Sequence, residues 1–180
     1  MFRTLNYLSA YGLSQRQLES KKEIWMIGVV SPLRTPKKSA VLAIAIGGLT
    51  AGAIDLTQAC ILFGWDIPYA IAGGLLGQEA LHGGVGYYIL GVSLHFFIAL
   101  SAAAIYYAAS RRLAFLVEYP LICGLIFGGI VQDVMTFVIL PLSALHPRGP
   151  YELRDMIQGL LVHMVVVGLP IAYSVRRFSK

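Results

Sequence analysis

The sequence predicts an all-α integral membrane protein of four transmembrane helices, with a short interfacial or re-entrant helix between the first and the second. Composition is the first reason. Of 180 residues, 57% are hydrophobic and only 13% charged, where soluble domains sit nearer a quarter charged. Apolar run length is the second: four stretches reach the ~20 residues a helix needs to cross a bilayer. The third is the placement of basic residues. Twelve of the 14 Lys and Arg fall between Arg3 and Lys38, at Arg111–Arg112, or between Arg176 and Lys180, outside the apolar stretches. The net charge of +5 therefore reads as membrane orientation rather than as a nucleic-acid surface.

Residues 1–38 read as a basic tail, cytoplasmic or lying on the membrane surface. Its apolar run Ile24 to Val30 is too short to span, and no small-residue cleavage site follows it, which argues against a signal peptide. Met26 offers an alternative translation start. The first span is expected over residues 39–63, with Gly48-x-x-x-Gly52 followed by Asp55 and Gln58. Positions 48, 52 and 55 share one helical face, so the close-packing glycines and the carboxylate address the same neighbour.

After Pro68, the stretch Tyr69 to Leu81 predicts a helix too short to span, ended by Gly83–Gly84. The second span covers residues 86–110, carries His95 one turn after Gly91, and closes at Arg111–Arg112. The third covers 120–143, entered through Tyr119–Pro120 and left through Pro141, with Gly124-x-x-x-Gly128 and then Gln132 and Asp133. The fourth covers 153–175, with Gln158, Gly159, His163 and a kink expected at Pro170, and leaves residues 178–180 as a cytoplasmic tail. Lys and Arg number seven before the first span, none in 64–85, two in 111–118, two in 144–155 and three at the C-terminus. The positive-inside rule then puts both termini in the cytoplasm.

The two hairpins resemble each other. Gly47, Gly52 and Asp55 match Gly124, Gly129 and Gln132 at an offset of 77, and Gly91 and His95 match Gly159 and His163 at an offset of 68. Both hairpins start inside, so the repeat would be parallel.

At ~1.5 Å per residue, each span places a polar side chain at a similar depth, beyond the midplane toward the outside. Intramembrane ionisable groups are costly and face the bundle interior. The expectation is one polar layer of Asp55, Gln58, His95, Gln132, Asp133 and His163. The glutamines read most simply as interhelical glue; the aspartates are expensive for that purpose. The glycine faces at Gly48, Gly52, Gly124 and Gly128 offer helix packing, within the chain or between copies.

Three function classes follow. Carboxylate and imidazole at one depth suit transport of a proton, ion or small solute. His95 and His163, each with a glycine one turn earlier, could instead ligate a b-type haem in an electron carrier. The third is a structural or assembly partner of another membrane complex. No cofactor is expected outside the haem reading, and no metal site: His82, Glu79, His146, Glu152 and Asp155 follow no ligand spacing. No Ser-His-Asp arrangement, phosphate loop or CxxC is visible, which leans against an enzyme. Cys60 and Cys123 lie inside apolar spans as free thiols.

The phrases AIAGGLLGQEALHGGVGYYILGVSLHFFIALSAAAIYY, GLIFGGIVQDVMTFVILPLSAL and VHMVVVGLPIA resemble a set of uncharacterised bacterial four-span inner-membrane proteins. In plan the chain is also distantly similar to the YagU-like proteins. The resemblance covers about residues 40–177. It implies a bacterial inner-membrane location and supplies no catalytic residue. At Gln132–Asp133 that pattern more often carries Tyr or apolar residues, which shifts weight from Asp133 to His95 and His163.

Overall fold

Four helices long and apolar enough to cross a membrane carry the fold. They are α1 (Lys37–Phe63), α3 (Val85–Ser110), α5 (Pro120–Leu142) and α6 (Leu153–Phe178). The short apolar α2 (Ile67–Leu76) and a 3-10 turn (Gln78–His82) lie between α1 and α3, and the single turn α4 (Phe115–Glu118) between α3 and α5. The computed structural model describes residues 37–146 and 152–179, with Glu19 alone before them. The tail of residues 1–36, with Met26, lies outside that description.

Local chemistry sets the boundaries. α1 stops at Gly64, whose φ of +103° belongs to the left-handed region that glycine occupies without strain. The Gly64 amide donates to the Cys60 carbonyl at 3.0 Å and closes the helix end. Pro68 then occupies the first turn of α2, where its missing N–H leaves no backbone bond unmade. α2 starts earlier and ends earlier than the residue pattern predicts. It stops at Gly77, and residues 78–82 continue as the 3-10 turn up to Gly83 and Gly84, both at positive φ.

Pro141 and Pro170 each lie within a span that runs on past them. A π-helical turn over Met135–Ile139 precedes Pro141, and another over His163–Gly168 precedes Pro170. Proline cannot donate to the fourth carbonyl back and its ring crowds that carbonyl. One extra residue in the preceding turn carries the carbonyl clear, and the π turn before Pro170 lies where the sequence predicts a kink.

The interior is built from small residues and the exterior from large ones. Ala43, Ala51, Ala103 and Ala172 are fully buried, while Ile61, Phe97, Ile105 and Leu161 are exposed. With lipid as solvent, large apolar side chains gain nothing by turning inward; small ones let helices approach. Gly48 and Gly52 lie on Leu100, Ala99 and Phe96 of α3, and Gly124 and Gly128 lie on the backbone of His163, Met164 and Gly168 in α6. All four glycines are thus occupied within the chain.

Hairpins α1–α3 and α5–α6 pack alike. Gly52 rests on Phe96 and Gly129 on Met164, positions related by the same offsets of 77 and 68 that relate the sequence matches. The hairpins join tightly through α1 and α6, where Gly47 meets Ile171 and Ser174, and the Ser174 hydroxyl donates to the Ala43 carbonyl at 2.9 Å. The opposite seam, between α3 and α5, stays open over much of its length.

Candidate functional site

The open seam leads to a cavity. His95, one turn after Gly91 on α3, stands against the face of α1 that bears Gly52 and Asp55. Its Nε2–H donates to the Gly52 carbonyl at 3.0 Å, and the same nitrogen lies 3.8 Å from Asp55 Oδ2. Each side chain keeps only 15% of its exposure. Gly52 makes this contact possible: an added methyl there would press on Phe96 and Ala99 at about 3.0 Å. On α6, His163 donates from Nδ1 to the Gly159 carbonyl at 3.0 Å.

Asp55, His95 and His163 all line one cavity of ≈ 180 Å³. Its remaining wall is apolar, with Ile98 and Ala102 from α3, Val131 and Met135 from α5, and Ile67 and Ile71 of α2 lining it from the opposite end of the bundle to the termini. α2 is held there at three points. The Pro68 carbonyl sits in the notch left by Gly91, Tyr69 stacks edge-on to Tyr88 with centroids 5.3 Å apart, and the Ala144 amide donates to the Gly74 carbonyl at 2.8 Å. Met135, His163 and Val167 belong to the π turns, so those turns set which side chains reach the cavity.

The chemistry follows from the donors already spent. Each imidazole gives one N–H to a backbone carbonyl, which leaves the second nitrogen as an acceptor. At His95 that is Nδ1; at His163 it is Nε2. The cavity therefore offers two acceptors and a carboxylate inside an apolar shell. That suits a small, mainly apolar molecule bearing a hydroxyl or amine, or a proton.

The expected six-residue layer is only partly assembled. Gln132 turns to α6 instead: its Nε2 donates to Thr136 Oγ1 at 3.1 Å, and its amide fills the space beside Gly159. Asp133 is exposed on the outer surface of α5. Successive residues lie ~100° apart on a helix, so Gln132 and Asp133 cannot both face inward. Gln58 is half-buried and lines no part of the cavity. The apolar members Ile67, Ile71, Ile98 and Met135 were not singled out from sequence. The i, i+4 spacing of Ile67 and Ile71 just after the α1 stop is the signal that marks α2 as a wall.

The haem reading does not fit this geometry. The notches at Gly91 and Gly159 that would admit a porphyrin hold the Pro68 carbonyl and the Gln132 amide. Among the described residues no three His, Cys, Asp or Glu side chains gather as a metal site.

Comparison with protein-family models, with curated proteins and with solved structures yields no match.

Proposed function

We propose that this is a small transport protein of the bacterial inner membrane, with both termini cytoplasmic, that holds a proton and a small, mainly apolar solute at Asp55, His95 and His163. One observation carries the reading: three ionisable side chains from three spans converge on one cavity in a bundle of helices long and apolar enough to cross a membrane. Placing such groups at membrane depth is expensive, and they mark substrate or proton sites where they occur. They gather at a single depth rather than in a file along the bundle, which suits a carrier site better than a continuous pore.

The test uses the purified full chain in phosphatidylethanolamine–phosphatidylglycerol vesicles containing a pH-sensitive dye, under an imposed membrane potential. Wild-type protein is expected to move protons faster than empty vesicles do. Asp55→Asn and His95→Gln, which keep side chains of similar length but remove the carboxylate and the imidazole, are expected to fall to the empty-vesicle rate. Wild-type flux in both variants, with unfolding curves unchanged, would sink the proposal.

A further inference from the structure

The cavity does not use Asp133, and its position is the more unusual for that. The residue lies about 20 Å along α5 from Pro120 and about 13 Å from Leu142, on a face exposed to whatever surrounds the bundle. Its neighbours on that face are Ile126 and Ile130, both exposed. Positions 126, 130 and 133 lie in the regular α-helical part of α5 and are spaced four and three, the pattern of a helix that packs along another helix. A short carboxylate cannot reach either headgroup layer from this depth, as long Lys and Arg side chains do.

Among the described residues Asp133 has no hydrogen bond and no ion pair. None of the described residues supplies its counter-charge either. Every described Lys and Arg stands at or beyond a helix end: Lys37 and Lys38, Arg111 and Arg112, Arg154, Arg176 and Arg177. The other ionisable groups at this depth, Asp55, His95 and His163, belong to the cavity. A second copy packed symmetrically along the seam would bring carboxyl to carboxyl. Charge complementarity selects a different occupant.

We propose that the outer face of α5 around Asp133 docks a transmembrane helix of another protein that presents a Lys or Arg side chain at the same depth. The carboxylate and the cation pair in a low-dielectric setting, and Ile126 and Ile130 supply the flanking knobs. This surface is separate from the cavity, so neither reading depends on the other.

The experiment reconstitutes the full chain, labelled at its N-terminus, with labelled synthetic Leu–Ala transmembrane helices carrying a single central Lys, Leu or Glu, and reads energy transfer. The Lys helix is expected to associate about tenfold more tightly than the Leu helix, as one interhelical polar contact allows, and the Glu helix no better than the Leu helix. Asp133→Leu should abolish the preference while leaving the unfolding midpoint in place, since the exposed residue makes no hydrogen bond or ion pair among the described residues. Asp133→Asn should retain only part of it. Equal association of the Lys and Leu helices, or a preference that survives Asp133→Leu, overturns the proposal. So does energy transfer between copies of the chain that Asp133→Leu removes, which would make the second copy the occupant.

Discussion

Gly91 shows how one hydrogen atom can position a whole element. A methyl group there would fall onto the Pro68 carbonyl oxygen, and that oxygen is backbone, held by the first turn of α2. Gly91→Ala should therefore push α2 off α3 and cost roughly 1–3 kcal/mol or more, the range for overfilled sites. Gly86 is the control: five residues earlier on the same helix, with nothing within 4 Å of an added methyl. Gly86→Ala should stabilise by up to ~1 kcal/mol through helix propensity and a less flexible unfolded chain. Unfolding midpoints in detergent distinguish the two; equal shifts would show that the notch is not filled as described. The sequence marked Gly91 only as space beside His95. What fills that space comes from another element, and no spacing along α3 encodes it. Depth along the spans put Asp55 and His95 in one layer of six without pairing them; their 3.8 Å approach depends on how α3 packs on the Gly52 face of α1.

At the scale of elements, the spans were legible to within a few residues. Their ends are set by charge, glycine and proline, which the sequence displays directly: Phe63 before Gly64, Ser110 before Arg111, Pro120 opening α5. The π turns were not. Pro141 and Pro170 announce an interruption, but kinking or absorbing one extra residue is decided by neighbours, here the Gly124–Gly128 face pressed on His163 and Gly168. Pro170→Ala restores an N–H for the Val166 carbonyl and should favour a regular helix in place of the π turn. That would rotate His163 away from the cavity and disturb its bond to Gly159. In the full chain labelled with ¹⁵N-histidine, the His163 Nδ1 resonance should move while that of His95 stays. An unmoved His163 signal would mean the packing against α5, not the proline, holds the π turn.

For the whole molecule, the hairpin correspondence explains why one seam is closed and the other open. The offsets of 77 and 68 that carry Gly47 to Gly124 and Tyr106 to Ser174 make the α3–α5 seam the counterpart of the α1–α6 seam. Small Ser174 lets α6 close on Gly47. Its counterpart Tyr106 is fully buried, stacks on Phe127 with centroids 4.9 Å apart and donates its hydroxyl to the Leu116 carbonyl at 3.0 Å. A large ring at that point wedges α3 from α5, leaving two apolar clefts of ≈ 430 and ≈ 330 Å³ along the seam. Ile98 and Met135 line both clefts and the Asp55–His95 cavity, so the three spaces meet at that pair. A solute dissolved in the bilayer could then reach the site sideways. Ile98→Trp places an indole at that junction, whereas Ile105→Trp puts the same bulk at an exposed position that lines only one cleft. With the full chain in vesicles and a small alkyl diazirine as photoprobe, labelling of Met135 and His163 is expected in wild type and in Ile105→Trp. It should be lost in Ile98→Trp, with the Asp55–His95 pair untouched and proton movement reduced. Labelling that persists past the tryptophan at position 98 would mean the cavity fills from one end of the bundle, and that α2 rather than the seam is its door.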